Sequence, residues 1–206
     1  MKRRFWKSQL RNRTELLNYL AKRFKYESYL EIGCSSEKNF SRIDVCCKVG
    51  VDPRQGGTFR GTSDEFFSMN QARFDLIFID GLHYAQQVLR DVTNSLRVLK
   101  KRGAIVLHDC NPLSEEAQRV PRMNQGGTWN GNVWRTALAL RTRNDLDVAV
   151  GDFDHGCGLV LMRRNTDPLM LKEDPFGVGY EAFARNREKW LRLMTSSQLL
   201  RFVRSY

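Results

Sequence analysis

The chain has 206 residues, 41% of them hydrophobic and 11% aromatic, which excludes a wholly disordered protein. Its apolar runs of about four to six residues are far shorter than the roughly 20 that span a bilayer, and its five cysteines contain no C-x-x-C pair of a zinc ribbon, so we expect a soluble, cytoplasmic protein. The formal net charge of +11 lies at the two ends, since residues 1–25 contribute +8 and residues 181–206 contribute +4, leaving the middle at −1.

The first predicted element is a basic N-terminal helical segment over residues 1–27. Its periodicity predicts a helix over 8–24, with leucines near one face, and nine Lys and Arg stand against the single acid Glu15 up to residue 25. Because the middle of the chain is nearly neutral, this charge does not indicate a nucleic-acid groove in the core. It permits contact with an anionic partner, such as an anionic substrate, RNA or a membrane surface, and solvated helix faces explain it equally well.

Four short apolar runs are typical of buried strands, and they cover 28–33, 46–52, 74–80 and 103–109. Because these runs are nearly continuous rather than alternating, they favour a parallel sheet covered on both faces. The residues between them carry helical patterns: 63–70 begins like a helix capped by Ser63, and 83–100 repeats apolar residues at helical spacing.

The second half of the chain continues with other patterns. A polar stretch of about 16 residues follows Pro112, which is long for a connector and favours a lid or mobile loop. Residues 130–143 predict a helix, 146–164 predict two strands around a "DFDHG" turn, and 180–194 predict one more amphipathic helix.

Alternation of strands and helices that ends in a hairpin predicts an α/β fold. We expect a doubly wound Rossmann-like sheet, mostly parallel, with an antiparallel last strand. Residues 28–165 would form the core, and residues 166–206 a C-terminal helical extension packed on it. Such sheets bind ligands at the carboxyl ends of their strands.

The predicted strands end in residues suited to a ligand site: Gly33, Asp52, Asp80 and Asp109. Gly33 lets the backbone approach a ligand closely. Asp52 is placed to accept hydrogen bonds from ribose hydroxyls, and a turn acid in "VDP" is an equally good interpretation. Neither a G-x-G-x-x-G nor a G-x-x-x-x-G-K-[ST] motif follows the first strand, so the pattern indicates a nucleoside without a diphosphate.

The stretch "FDLIFIDGLHY" and the stretch "IVLHDCNP" bring two acids and two imidazoles to one edge: Asp80, His83, His108 and Asp109. A lone acid at a strand end more often caps a helix. Together, these four side chains can hold a hard divalent cation or perform general acid–base chemistry. Trp129 and Trp134 follow nearby and are candidates for an aromatic wall, with helix-to-sheet packing as an equally good explanation.

Over residues 28–163 the motifs "YLEIGCSS", "VGVDP", "FDLIFIDGLHYAQQVLRDV" and "GAIVLHDCNP" resemble those of class I S-adenosylmethionine-dependent methyltransferases. The nearest subgroup is bacterial, with I-D-G-x-H and L-H-D-C-x-P motifs, and is distantly similar to metal-dependent O-methyltransferases. The resemblance implies that Glu31 and Gly33 line the methionine part of the cofactor and that Asp52 binds its ribose hydroxyls. Ser63 and Asp64 would lie by the adenine, and Asp80 would lie between cofactor and substrate.

The same resemblance bears on a metal and on the first loop. It implies a divalent cation, Mg²⁺ or another, at Asp80, His108 and Asp109, where His108 replaces an acid of the metal-dependent relatives. Relatives usually carry a second glycine in the first loop, where this chain has "CSSEKN".

The leading hypothesis is a methyltransferase acting on oxygen of a small molecule or sugar, with Asp80, His83, His108 and Asp109 as catalytic residues. Methylation of RNA or another polyanion is an alternative, motivated by the basic N-terminal segment. A non-catalytic Rossmann-like binding protein is a third, motivated by the missing loop glycine. The sequence leaves the oligomeric state open.

Overall fold

The structure is a computed structural model that describes residues 9–123 and 126–206. The first eight residues of the basic N-terminal segment lie outside this part of the chain. Eight strands form one sheet: β1 (Ser28–Ile32), β2 (Cys47–Asp52), β3 (Phe59–Arg60), β4 (Phe74–Ile79), β5 (Leu99–Leu107), β6 (Asp147–Gly151), β7 (Cys157–Leu161) and β8 (Leu193–Met194).

The described helices lie between and after these strands. They are α1 (Arg13–Phe24), α2 (Ser63–Met69), α3 (Ala85–Val98), α4 (Glu115–Gln118), α5 (Val133–Arg141), α6 (Tyr180–Leu191) and α7 (Ser196–Arg204), with a single 3₁₀ turn at Phe40–Arg42. None of the helices within 9–123 and 126–206 is long and apolar enough to cross a membrane.

The strand order is β3-β2-β1-β4-β5-β7-β6-β8. Strands β3, β2, β1, β4 and β5 pair in parallel, and β7 runs antiparallel to both of its neighbours, β5 and β6. The predicted fold class, a Rossmann-like and mostly parallel sheet with an antiparallel strand at the end of the hairpin, is therefore confirmed. The short strand β8 was not predicted and adds a parallel partner to β6.

The sheet separates two hydrophobic cores, because neighbouring strand residues point to opposite faces. Helices α2, α3, α5 and α6 pack on one face, where the core includes Ile77, Ile105, Trp134 and Phe183. Helices α1 and α7 pack on the other face, where the core includes Leu17, Leu20, Phe78 and Leu199. The N-terminal helix and the last helix thus cover the same face of the sheet.

Several element boundaries differ from the prediction, among them the ends of α5 (predicted over 130–143) and α6 (predicted over 180–194). Helix α1 begins at Arg13 rather than residue 8, because the Asn12 side chain caps it by accepting from the Glu15 N–H. Thr62, not Ser63, caps α2, and its capping box with Glu65 satisfies the first turn. Helix α3 ends at Val98 and β5 begins at Leu99, so Lys100, which the predicted helix over 83–100 included, belongs to the strand.

Candidate functional site

The carboxyl ends of β1, β2, β4 and β5 meet at one edge of the sheet. The turn between β6 and β7 reaches the same edge because β7 runs antiparallel to β5. Two backbone hydrogen bonds fasten the turn there, since the N–H groups of Cys110 and Asn111 donate to the carbonyls of Gly156 and His155 at 3.0 and 2.9 Å. The edge therefore combines the predicted site residues with those of a turn.

His83 lies between two of the predicted acids. Its Nε2 is 3.6 Å from Oδ1 of Asp80, and its Nδ1 is 3.5 Å from Oδ2 of Asp109. The ring stacks on Trp129, with centroids 4.9 Å apart and planes 10° from parallel. Nδ1 is buried without a hydrogen-bond partner. Burial lowers the pKa of His83, but the two carboxylates outweigh burial and raise it.

His108 is buried among carboxylates. Its Nδ1 lies 2.9 Å from Oδ2 of Asp109 and 3.3 Å from Oδ1 of Asp80, and its Nε2 lies 3.6 Å from Oδ1 of Asp154. Burial opposes a charged imidazole, yet hydrogen bonding to the three carboxylates raises the pKa of His108. In turn, although burial raises the pKa of the Asp80 carboxyl, its interactions with His108 and His83 lower it below the usual range.

Asp109 is held in a strained position. Its φ of +60° is in the left-handed region, which non-glycine residues rarely adopt. Its Oδ1 accepts a hydrogen bond of 2.9 Å from the Asn130 amide, and its Oδ2 faces His108. Strain of this kind persists where the surroundings fix the residue, and such positions cluster at functional sites.

Three residues at this edge were not predicted: Arg13, Asp154 and His155. The backbone N–H of Arg13 donates to Oδ2 of Asp154 at 2.8 Å. The His155 ring meets the His108 ring edge-on, with ring centroids 6.0 Å apart. All three histidines of the chain therefore lie at or beside the site. The "DFDHG" turn carried a signal, because a hairpin after parallel strands returns its turn to their carboxyl edge.

Gly33 and Asp52 hold the loops that follow β1 and β2. Gly33 has a φ of +91°. The Asp52 carboxylate accepts three backbone N–H groups: Ser35 at 2.8 Å on Oδ2, and Arg54 and Gln55 at 2.8 and 3.0 Å on Oδ1. Burial raises the pKa of Asp52, but these hydrogen bonds outweigh it and lower the pKa. A carboxylate has about four acceptor positions, so one on Oδ2 is left for a ligand.

The "CSSEKN" loop packs against glycines of the loop after β2. A Cβ at Gly56 would lie 2.3 Å from the Ser35 carbonyl oxygen, so only glycine fits there. The Gly57 N–H donates to Oε1 of Glu37 at 2.7 Å. The second glycine that the resemblance led us to expect in the first loop is absent, and glycines of the opposite loop allow the two loops to approach closely.

Glu31 lies in a buried hydrogen-bond network on the α1 face of the sheet. Its Oε2 accepts from the Tyr29 hydroxyl and, at 2.9 Å, from the Asn39 amide, whose oxygen accepts from the Thr14 hydroxyl at 2.7 Å. Burial is the largest effect and raises the pKa of Glu31 to about 7. Its partners are therefore other side chains of the protein.

The Glu31→Gln variant should lose part of the pH dependence of stability. Between the ordinary value of 4.5 and about 7, the folded protein binds this proton more tightly than the unfolded chain, so the free energy of unfolding falls as pH rises across that window. The expected contribution is about 3 kcal/mol. Urea unfolding near pH 5 and near pH 8 should show a smaller difference for Glu31→Gln, while Glu188→Gln, at an exposed position, should behave like the wild type. An unchanged pH dependence in Glu31→Gln would contradict this assignment.

Ser63 and Asp64 face the helix α3 side chains. Gln87 donates to the Ser63 hydroxyl at 3.2 Å, and Arg90 forms an ion pair of 3.2 Å with Asp64. Ser63 is buried and Asp64 is exposed. These contacts tie the start of α2 to α3 and do not by themselves indicate a ligand.

A cavity of about 520 Å³ opens beside the histidine cluster, lined by the loop after β5 and the β6–β7 turn. Trp129, Asn130, Asp154 and His155 are among its lining residues. Trp134 is not, because it is fully buried and stacks on Phe183 at 4.2 Å. Of the two predicted wall residues, Trp134 belongs to the core and only Trp129 lies at the cavity.

Two groups of side chains place potential metal ligands within 4.8 Å of one another. One consists of Asp80, His83 and Asp109, and the other of His108, Asp154 and Cys157. The predicted set of Asp80, His108 and Asp109 is thus divided between them. A cation at the predicted set stays a prediction, and Arg13 lies between the two groups.

Comparison with known proteins defines the fold family. Residues 37–110, just over a third of the chain, match a family model described as a methyltransferase domain. An O-methyltransferase of Bacillus cereus, solved in complex with S-adenosylhomocysteine, superposes with a TM-score of 0.54 over 73% of this chain and 80% of its own, at 11% identity. The chain has the methyltransferase fold.

Two further methyltransferases superpose over a similar extent. A Podospora anserina enzyme with bound S-adenosylhomocysteine gives a TM-score of 0.52 over 74% of this chain and 77% of its own, at 17% identity. A Streptomyces achromogenes O-methyltransferase of tomaymycin synthesis, in complex with S-adenosylmethionine, gives 0.51 over 73% and 79%, at 16% identity. No curated protein matches the chain. The predicted resemblance to class I methyltransferases is confirmed by the fold and the family model.

Proposed function

We propose that the protein is an S-adenosylmethionine-dependent methyltransferase that methylates oxygen of a small molecule, with saccharides among the acceptors. One observation carries the proposal: in a methyltransferase fold, Asp52 and Asp80 stand at the carboxyl ends of β2 and β4, the strands on either side of β1, and Asp80 lies beside two imidazoles. Fold alone does not assign a reaction, whereas these side chains supply the chemistry that methyl transfer needs.

The donor set fits this cofactor. S-adenosylmethionine carries a sulfonium, an ammonium and a ribose diol, and the edge offers carboxylates on β2 and directly after β4. Asp52 retains one acceptor position on Oδ2 for a ribose hydroxyl, and Asp80 is partly exposed with a negative charge to face the sulfonium. In this proposal Gly33 and Glu31 lie by the methionine part, and the start of α2, with Ser63 and Asp64, by the adenine.

When bound, the cofactor supplies an electrophilic methyl group on its sulfonium. The chain must then align an acceptor oxygen and remove its proton. His83 is proposed as the proton acceptor because its ring lies between Asp80 and Asp109, whose carboxylates stabilise the imidazolium that forms. The Asp109 carboxylate contacts both His83 and Nδ1 of His108. His108 is therefore proposed to orient this carboxylate beside His83.

The acceptor is proposed to occupy the cavity next to this cluster. Its volume of about 520 Å³ lies within the range of about 300–1,000 Å³ that is usual for small-molecule sites. Trp129 joins cavity and cluster, since it lines the one and stacks on His83 of the other. The cavity therefore adjoins His83 through Trp129.

The test is methyl transfer from S-adenosylmethionine labelled in its methyl group. A panel of sugars, phenols and RNA is incubated with wild type, Asp80→Asn and Lys101→Gln, the last an exposed surface control. We expect label in a small-molecule hydroxyl with wild type and Lys101→Gln, and at least about a hundredfold less with Asp80→Asn. Label in RNA alone would favour the polyanion alternative, and label in none of the acceptors, together with absent cofactor binding, would favour the non-catalytic one.

A further inference from the structure

The guanidinium of Arg13 lies inside the carboxylate cluster of the site. Its Nη1 is 3.7 Å from Oδ2 of Asp80 and 3.9 Å from Oδ1 of Asp154. The same nitrogen is 2.6 and 3.0 Å from the two ring nitrogens of His108. One cationic nitrogen therefore contacts members of both groups of potential metal ligands.

We propose that Arg13 is a built-in cation of this site: it takes the place between the two ligand groups that a divalent cation would need, and it positions Asp80 and His108. Its catalytic meaning rests on the proposed function, whereas the exclusion of a metal ion can be tested without it. The role is one of positioning, because Arg13 acts through Asp80 and His108.

The backbone holds Arg13 at this place. Arg13 is the first residue of α1, and its N–H donates to Oδ2 of Asp154 at 2.8 Å. The helix behind it is anchored by Leu16, Leu17 and Leu20, which are fully buried. To move the guanidinium out of the cluster, its long side chain would have to leave the carboxylates of Asp80 and Asp154 while the helix stays fixed.

The chemistry of the cluster explains why a cation belongs there. The carboxylates of Asp80, Asp109 and Asp154 lie around one imidazole, and like charges at this spacing repel one another unless a cation offsets them. Arginine stays charged under all ordinary conditions, so it offsets them permanently. A divalent cation at Asp80 would lie beside the guanidinium and be repelled by it.

Arg11 offers a matched comparison two residues earlier. Its side chain is 77% exposed and pairs with Glu15 on the helix surface, away from the cluster. A change of charge at Arg11 alters the same segment by the same amount without touching Asp80, Asp154 or His108. Differences between Arg11 and Arg13 variants therefore report the position of the charge and not its amount.

The experiment is a calorimetric titration with Mn²⁺ of wild type, Arg13→Met, Arg13→Gln, Arg13→Lys and Arg11→Met, each first checked for folding by circular dichroism. We expect no saturable binding to wild type, Arg13→Lys and Arg11→Met. For Arg13→Met or Arg13→Gln we expect saturable Mn²⁺ binding, at least about tenfold tighter than the weakest binding that the titration detects, and lost again when Asp80→Asn is added.

Two outcomes would overturn the proposal. One is Mn²⁺ binding to wild type that Asp80→Asn abolishes, which needs no Arg13 variant to fold. The other is a folded Arg13→Met or Arg13→Gln protein that binds Mn²⁺ no more tightly than wild type does. A parallel titration with S-adenosylhomocysteine reads the cofactor site separately, so a failure of the proposed function is distinguishable from a failure of this inference.

Discussion

Replacing Gly33 by alanine should destabilise the protein by about 3 kcal/mol or more and displace Asp80. A Cβ at this position would lie 2.2 Å from the Asp80 carbonyl oxygen and 2.6 Å from the Cα of Gly81. These atoms belong to the backbone at the end of β4 and cannot move aside as a side chain could. The φ of +91° adds a second cost, because a residue with a Cβ rarely adopts it.

Gly81→Ala is the matched control, because this glycine lies against the same strand. There the nearest atom to a new Cβ would be Cγ2 of Ile32 at 3.3 Å, a side-chain atom that can shift by a few tenths of an ångström. Urea unfolding should place Gly81→Ala within about 1 kcal/mol of wild type and Gly33→Ala far below it. Equal losses in the two variants would show that the approach of β1 to β4 does not depend on Gly33.

Trp134→Ala should cost about 3–5 kcal/mol in the free energy of unfolding, the usual range for a large aromatic residue in a core. Trp134 is fully buried, stacks on Phe183 at 4.2 Å, and donates through Nε1 to Oε1 of Gln118 at 3.2 Å. Its removal leaves a cavity between α5 and α6 and an amide without its partner. Thermal unfolding would report this as a large drop in Tm.

Trp129→Ala tests the other half of the aromatic pair. This residue is half-buried, stacks on His83 and donates to the Arg119 carbonyl at 2.7 Å. We expect the free energy of unfolding to fall by only about 1 kcal/mol, since removing a half-buried ring leaves no cavity in the core. A loss as large as that of Trp134→Ala would mean that Trp129 is a core residue, which would contradict its place at the cavity.

The sequence was sufficient for the parts of the fold that depend on local patterns. The runs from 28 to 109 predicted strands because apolar and β-branched residues repeat there without interruption. Strand β8, helix α7 and strand β3 escaped prediction, since short elements of two to nine residues depend on partners far away in the chain. The start of α1 was missed for a local reason. The apolar periodicity extends back to residue 8, but the Asn12 side chain caps the helix and makes it begin at Arg13.

The candidate site shows the same division. Four site residues were recognisable from the sequence: Asp80, His83, His108 and Asp109. They end or follow predicted strands, and the topology of the sheet fixes the edge at which those strands end. Arg13 could not be recognised from the sequence. It is one of nine Lys and Arg residues in the basic N-terminal segment, and nothing distinguishes it from the other eight. Asp154 lies 46 residues after His108, its partner directly after β5, and only the hairpin brings it back.

Asp52 acts as the turn acid that the sequence offered as one of two interpretations, since its carboxylate accepts three backbone N–H groups. Its contact with a ribose hydroxyl stays a prediction. Gly56 and Gly57 of the loop after β2 pack closely against Ser35 and Glu37 of the first loop. A motif search along one loop could not reveal this contact, because it arises between loops.

The central claim is that this edge binds S-adenosylmethionine, and a calorimetric titration with S-adenosylhomocysteine tests it most directly. Wild type should bind in the micromolar range, and Asp52→Asn, which loses one acceptor oxygen, should bind at least about tenfold more weakly while remaining folded. Lys101→Gln should match wild type. No binding to folded wild-type protein, or equal binding to Asp52→Asn, would contradict the account.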